Sequence, residues 1–298
     1  MSDSVRKNVA ENYKLKPSMI KSKKTSERIG KALTYLILTA LSVVFMIPFV
    51  WLLSSSLKNN ADIFSMPPKW IPNPVKFSNY IEVFHQVPFF RFLANTLIIA
   101  VTVLIAHVFV SAMVGYAFAR LRAPGKNFLF ILLLSTMMLP SQVTMIPQFI
   151  MFKEIGWVDT LYPMIVPAFF GGSALYIFLY RQYFASLSAS LGEAALIDGA
   201  GYFKTFTHVY LPMSKPILIT VGIFSFMGSW NDFMGPLIYL NDLNNFTLAI
   251  GLNMFKTQYI QNWNYTMAYN VMIVVPLIIL FFVAQKHFIQ GIVITGTK

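Results

Sequence analysis

Cysteine is absent from this sequence of 298 residues, and charge is scarce, since only 11% of the residues are Asp, Glu, Lys or Arg. The lack of cysteine excludes disulfides, zinc–cysteine sites, iron–sulfur clusters and thiol nucleophiles. The shortage of charge excludes an ordinary soluble protein, because 56% of the residues are hydrophobic and too few polar groups remain to cover a globular surface. The composition therefore predicts a chain that lies mostly within a membrane.

Motifs for covalent chemistry are also missing. The sequence has no His-Glu-x-x-His, no Gly-x-Ser-x-Gly and no Gly-x-x-x-x-Gly-Lys-Ser/Thr phosphate loop, and none of its four histidines is paired at metal-ligand spacing. These absences disfavour an intramembrane enzyme such as a protease. We therefore expect no catalytic residues, no metal site and no cofactor or ATP bound by this chain.

The sequence contains several long stretches without a charged residue. Six intervals are long enough to cross about 30 Å of hydrocarbon, which takes about 20 helical residues. They are 32–57, 92–119, 127–152, 160–180, 216–241 and 257–285, and only the fifth contains a charged residue, Asp232. The runs are too long and too unalternating for barrel strands, so the sequence predicts an all-α polytopic membrane protein with six transmembrane helices.

The distribution of basic residues predicts the orientation. If the N-terminus is cytoplasmic, 17 of the 23 lysines and arginines lie on the cytoplasmic side, and basic residues resist translocation. We therefore expect both termini in the cytoplasm. The predicted organisation is a basic N-terminal tail at 1–31, a transmembrane domain at 32–285 with a long cytoplasmic connection at 181–215, and a cytoplasmic C-terminal tail at 286–298.

The connection at 181–215 is the most informative stretch. Residues 193–198 favour a short helix with an acid near its start, where the helix dipole stabilises negative charge. Gly199 and Gly201 then permit a sharp turn before a second amphipathic piece. The result is a helix-turn-helix too short and too polar to cross a membrane, with Ala194 and Ala195 offering a flat surface to another protein.

This stretch resembles the coupling loop of permease subunits of ATP-binding-cassette (ABC) importers. The family pattern is Glu-Ala-Ala, a Gly after three residues, nine more residues, then an aliphatic residue, any residue and Leu-Pro; here it reads Glu193-Ala194-Ala195, Gly199 and Val209-Tyr210-Leu211-Pro212. The resemblance implies a type I ABC importer permease in the bacterial cytoplasmic membrane. It also implies that this helix docks on a separate ATPase, with five residues at the joint: Glu193, Ala194, Ala195, Asp198 and Gly199.

A second stretch, residues 229–237, resembles the Trp-Asn-acid-Phe…Pro-Leu segment of carbohydrate importers, in particular the maltose-type permease that pairs with a different permease. Residues 285–291 resemble that subfamily too, whereas the last five residues depart from it. The implied partners are a second, different permease, two ATP-binding subunits that carry ATP and Mg²⁺, an extracytoplasmic solute-binding protein and a sugar, for which we favour an oligosaccharide.

Asp232 is a candidate on physical grounds as well, because an ionisable residue in a transmembrane run is costly unless it faces water, a partner or a solute. We take Trp230, Asn231, Asp232 and Phe233 as substrate-path candidates, with aromatic faces for a sugar ring and polar groups for its hydroxyls. An alternative for Asp232 is a structural role at the end of the span. From 216 to 231 a helix rises only about 24 Å, so Asp232 would lie near the outer interface and merely cap the span.

The main alternative function is an ion-coupled secondary transporter. Such a protein would favour buried charge pairs and a two-half symmetry, but the sequence has one intramembrane acid and no evident repeat. His107, within the second interval, is interpreted as an interhelical hydrogen-bonding residue rather than a proton relay.

Overall fold

The computed structural model of the protein describes residues 17–255 and 262–294, and every regular element within them is helical. The α-helices are α1 Pro17–Ser56, α2 Ser78–Gln86, α3 Phe89–Arg120, α4 Lys126–Thr136, α5 Ser141–Glu154, α6 Tyr162–Phe169, α7 Ala174–Ser186, α8 Ala189–Ile197, α9 Tyr202–Thr205, α10 Leu211–Met213, α11 Lys215–Trp230, α12 Met234–Tyr239, α13 Leu248–Gly251 and α14 Trp263–Ile294. A π-helical turn, Phe206–Tyr210, joins α9 to α10, and 3₁₀ turns lie at Asn60–Asp62, Leu243–Asn245 and Leu252–Phe255.

Four of the described segments are long and apolar enough to cross a membrane: Ser26–Ser56, Phe89–Arg120, Tyr162–Ser186 and Trp263–Val283. Two helix pairs meet the same criteria only together, α4 with α5 at a bend of 95°, and the helical stretch Tyr202–Met213 with α11 at a bend of 83°. The prediction of an all-α polytopic protein is therefore confirmed. The count of six holds if each bent pair is one crossing.

The bounds of several predicted spans need correction. The third interval, 127–152, is broken into α4 and α5 just before Ser141, because Pro140 disfavours helical geometry at the preceding residue. The fifth interval, 216–241, is helical only to Trp230 and resumes at Met234. Helix α1 begins at Pro17, well before position 32, and α14 runs beyond position 285. Residues 257–261 of the sixth interval and 295–298 of the C-terminal tail lie outside the described residues, as do positions 1–16.

Helix α3 is the centre of the fold. It packs along α7 and α11 and also contacts α6 and α13, whereas α1 packs against α14. Gly115 allows the close approach of α3 to α7, since a methyl group at that position would lie 2.6 Å from Tyr180 Cβ. His107 Nδ1 and Ser225 Oγ share a hydrogen bond of 2.8 Å between α3 and α11, which agrees with an interhelical role for this histidine.

Two buried clusters lie at the two ends of α3. The cluster at the Phe89 end contains Val83, Val87, Phe89, Phe92, Trp230, Leu248, Phe255, Ala268 and Tyr269. The cluster at the Arg120 end contains Ala112, Tyr116, Tyr180, Phe184, Phe206, Tyr210 and Val221. Thirty-two residues of α3 separate these ends by about 48 Å at the helical rise of 1.5 Å. The predicted coupling segment therefore adjoins the cluster at the Arg120 end, and the substrate-path candidates adjoin the cluster at the Phe89 end.

Candidate functional site

The predicted helix-turn-helix forms as two short helices joined by a glycine-dependent turn. Helix α8 begins after Ser188, whose hydroxyl accepts a hydrogen bond from the backbone N–H of Ser190 at 3.3 Å. It ends at Ile197 with Asp198 as its C-cap, and the next residue, Gly199, has a φ of +81°, a conformation that favours glycine because it has no Cβ. The Ala200 N–H donates to the Ala195 carbonyl at 2.9 Å and closes the helix end, as in a glycine-terminated C-cap.

The five residues implied at the ATPase joint lie together on this helix and its cap. Four are exposed and Ala195 is half-buried; the exposed ones are Glu193, Ala194, Asp198 and Gly199. Apolar side chains are exposed beside them, with Ile197 at 86% and Phe203 at 69% of full exposure. A polar loop with exposed apolar residues of this size is typical of a surface that another protein covers.

The base of the segment is held by aromatic packing. In the π-helical turn, Phe206 and Tyr210 are 4% and 1% exposed. The Tyr210 ring lies 5.1 Å from that of Tyr116 on α3 and 5.9 Å from that of Phe184 on α7. One short turn therefore joins the exposed α8–α9 pair to two membrane helices.

The four substrate-path candidates do not share one environment. Trp230 is 2% exposed, belongs to the cluster at the Phe89 end of α3, and stacks on Phe226 with ring centres 5.4 Å apart. Asn231 is exposed, and its amide donates to the Met227 carbonyl at 2.8 Å. Phe233 is half-buried. The structure thus places Trp230 in the protein core and separates it from its polar neighbours.

Asp232 stands at the start of α12 and also lines a cavity. Its Oδ1 accepts a hydrogen bond from the Gly235 N–H at 3.1 Å, so the carboxylate binds the first turn of α12. The cavity has a volume of about 500 Å³ and is lined by Gln148, Met151, Phe152, Ile155, Trp157, Pro163, Met164, Val166, Pro167, Phe170, Asp232, Gly235 and Tyr239. Aromatic rings with one carboxylate and one amide are suited to a polar solute with an apolar face. Within the described ranges, no group of three or more His, Asp or Glu side chains is placed to hold a metal ion.

Residues 108–294 match the family described as "Binding-protein-dependent transport system inner membrane component". The match covers more than half of the chain and contains both candidate regions. The chain belongs to this family. The resemblance to ABC importer permeases noted from the sequence is thereby confirmed.

Relatives of this permease carry consistent names. It is 33% identical to the "Probable ABC transporter permease protein YurM" of Bacillus subtilis, over 91% of this chain and 89% of the relative. It is 34% identical to the "Arabinooligosaccharides transport system permease protein AraQ" of Halalkalibacterium halodurans, over 76% and 81%. It is 30% identical to the "Diacetylchitobiose uptake system permease protein NgcG" of Streptomyces coelicolor, over 92% and 90%.

A solved structure has the same fold as this permease. It is described as the "Crystal structure of a bacterial ABC transporter involved in the import of the acidic polysaccharide alginate", and the two chains superpose with a TM-score of 0.76 at 25% identity. The alignment covers 88% of the permease and 98% of the other chain. The architecture expected from the sequence is therefore confirmed along most of the chain.

Arg120 is a residue that sequence analysis did not single out. It ends α3, and its Nη2 donates to the backbone carbonyls of Phe184 and Leu187 at the end of α7. Its guanidinium carbon lies 5.2 Å from the centre of the Tyr210 ring. The sequence showed only a basic residue next to a span, because its partners are 64 and 67 positions away.

Asp159 was also missed, and it organises the opposite end of the permease. Its Oδ1 accepts hydrogen bonds from the N–H groups of Asn241 at 2.9 Å and Asp242 at 2.8 Å, while the Asn245 amide donates to its carbonyl oxygen at 2.7 Å. These bonds lower the pKa of the Asp159 carboxyl below its usual range, that from Asp242 contributing most. Its φ of +63° is a conformation that Asp tolerates better than most residues.

Proposed function

We propose that this permease is one subunit of an ABC importer for carbohydrate, that it forms half of the translocation pathway, and that its substrate is an oligosaccharide. The support for a carbohydrate comes from the relatives, two of which are named for arabinooligosaccharides and diacetylchitobiose. The basic-residue distribution supports a place in the bacterial cytoplasmic membrane with both termini in the cytoplasm.

The observation that carries the mechanism is the exposed face of α8. Glu193, Ala194 and Asp198 are exposed together beside Ile197, which is 86% exposed, on a helix that the buried Tyr210 links to the membrane helices. In this proposal α8 docks on an ATP-binding subunit, which holds the ATP and Mg²⁺. Closure of two such subunits pushes α8 and moves the helices behind it.

The same proposal needs two further partners. A second, different permease supplies the other half of the pathway, and an extracytoplasmic binding protein delivers the sugar. Asp232 and the aromatic cavity beside it are the part of this chain best suited to contact the sugar. Asn231 and Phe233 are the sequence neighbours of Asp232, whereas Trp230 packs on Phe226 in the core and has the weakest claim to contact the sugar.

Transport assays test the proposal against an ion-coupled secondary transporter. The permease is co-expressed with its partner subunits, reconstituted in vesicles, and supplied with ATP inside and with loaded binding protein outside. We expect uptake that requires ATP, is inhibited by vanadate and persists when ion gradients are collapsed. Uptake that follows an ion gradient and ignores vanadate would establish the alternative.

Substitutions in α8 test the docking surface. Glu193→Lys and Gly199→Asp should leave membrane insertion intact yet reduce co-purification of the ATPase and sugar uptake by about tenfold or more, because each places a wrong charge or a strained backbone at the joint. Gly201→Ala is the matched control, since Gly201 has an ordinary φ of −66° and nothing within 4 Å of an added methyl. Wild-type uptake by both joint variants would refute the assignment of α8.

A further inference from the structure

Arg120 ends α3 and contacts both α7 and the π-helical turn that follows α9. Its Nη2 donates to two carbonyls at the C-terminal end of α7, those of Phe184 and Leu187, where the last carbonyls of a helix carry partial negative charge. The same guanidinium lies over the Tyr210 ring of the π-helical turn. One side chain therefore ties the end of α3 to α7 and to the segment that carries α8.

Tyr210 in turn rests against α8. A methyl group placed on Gly192, in the middle of α8, would lie 2.8 Å from Tyr210 Oη and 3.4 Å from its Cε2. There is thus no room for a side chain between Gly192 and Tyr210, and the ring lies directly against the backbone of α8. Packed protein interiors have low compressibility and transmit displacements.

We propose that Arg120 is the positioning residue that transmits movement of α8, through Tyr210, to α3 and α7. This inference rests on the proposed docking of α8 on an ATPase. The route runs from Gly192 to Tyr210 by direct packing, from Tyr210 to Arg120 by a cation–π contact, and from Arg120 to α7 by charged hydrogen bonds.

Lysine does not replace arginine in this position. A guanidinium is planar and presents several donors in a fixed fork, so it can stack on a ring while it bonds two carbonyls, whereas an ammonium is a compact point charge. Arg120→Lys therefore keeps the charge at the end of α3 but loses the planar group that bonds both carbonyls while it lies over the Tyr210 ring. Arg122 offers a matched control, because it lies two residues further on and is exposed.

The experiment measures the number of sugar molecules imported per ATP hydrolysed by the complete transporter in vesicles. We expect Arg120→Lys and Arg120→Gln to lower this ratio about five- to hundredfold, the usual range for coupling between sites, with the ATPase still co-purifying. Arg122→Gln should keep the wild-type ratio. A wild-type ratio in both Arg120 variants, or an equal loss in the Arg122 variant, would overturn the proposal.

A second pair of variants tests transmission through Tyr210 even if the Arg120 variants fail to assemble. Gly192→Ala raises the helix propensity of α8 but drives a methyl into Tyr210 Oη, so it should lower the ratio; adding Tyr210→Phe removes the nearest atom and should restore it. Absence of this rescue would contradict transmission through Tyr210. Failure of the underlying docking proposal is distinguishable, since a cysteine at position 193 would then not cross-link to the ATPase in the wild-type background.

Discussion

The two ends of α3 are held by different kinds of interaction. At the Arg120 end, the 188–212 segment meets α3 and α7 mainly through the aromatic rings around Tyr210, while the side-chain hydrogen bonds of Arg120 join α3 to α7. At the other end, directional hydrogen bonds are added: the Asn95 amide donates to the carbonyls of Asn244 at 2.8 Å and Phe246 at 2.9 Å, and Asp159 accepts from the same stretch. Ring packing passes on the displacement of a whole segment, whereas a network of directional hydrogen bonds specifies one arrangement of the loops. We infer that the Arg120 end is built to transmit movement and the Asp159 end to keep its form.

The largest effect on stability is expected at Trp230, which lies in the buried cluster at the Phe89 end of α3. Because it is 2% exposed within the cluster at the Phe89 end, Trp230→Ala should lower the free energy of unfolding by about 3–5 kcal/mol through loss of burial and the cavity left behind. Thermal melting of the purified permease in detergent measures the change. Trp230→Phe, which keeps a ring against Phe226, is the control and should lose much less.

The same variants decide the role of Trp230 on the substrate path. If Trp230→Ala melts like the wild type while the apparent affinity for sugar changes, this residue faces the solute rather than the core. Asp232→Asn is the companion variant, because it lines the cavity. We expect it to alter uptake with little change in melting.

The next largest effect on stability is expected at Gly115, where α3 and α7 lie close together. A methyl there would meet Tyr180 Cβ at 2.6 Å and the backbone N of Arg181 and O of Ile177 at 3.1 Å, none of which lies at the end of a flexible side chain. Gly115→Ala should therefore force the helices apart and destabilise the permease by about 2–3 kcal/mol. Gly228→Ala on α11 is the matched control, since nothing lies within 4 Å of an added methyl. Equal melting temperatures for the two variants would contradict the close crossing.

Much of this fold could be predicted from apolar length and charge alone. The four unbroken crossings follow from hydropathy, and the turn at Gly199 follows from glycine beside a short amphipathic helix. Pro140 is visible in the sequence, but the uncharged run 127–152 that contains it predicts a single span. Its 95° bend depends on packing that a linear pattern does not contain.

The candidate site was predictable only where its residues are neighbours in sequence. The α8 residues were found because helix and motif coincide within seven positions. Trp230 and Asp232 were grouped for the same reason, yet they face different surroundings because the helix ends between them. Helix α11 is apolar on every side, so no amphipathic pattern reveals which face meets the core. Arg120 and Asp159 act on carbonyls and N–H groups more than 60 positions away, for which a single sequence carries no signal.

The smallest effect on stability is expected at Asp159, whose hydrogen bonds organise the loops at the end of the permease opposite Arg120. Asp159→Ala removes the acceptor for the N–H groups of Asn241 and Asp242 and places alanine at a φ of +63°, so we expect a loss of about 1–2 kcal/mol in the free energy of unfolding. Asp159→Asn keeps an acceptor oxygen and tolerates this backbone conformation, so its loss should be smaller. Uptake per ATP should stay near the wild-type value in both, in contrast to variants at the Arg120 end.

The protonation of Asp159 adds a test by pH. Its pKa is lowered in the folded protein, mainly by the N–H of Asp242, so the ionised carboxylate is bound more strongly than the neutral acid. Its stabilising contribution is therefore complete above the unfolded pKa of about 3.9 and is lost as the pH falls through the lower, folded value. Since the group is largely accessible to solvent, the contribution is below about 1 kcal/mol. The difference in unfolding free energy between the wild type and Asp159→Asn should shrink between pH 6 and pH 3, and a constant difference would show that the bonds depend on geometry rather than charge.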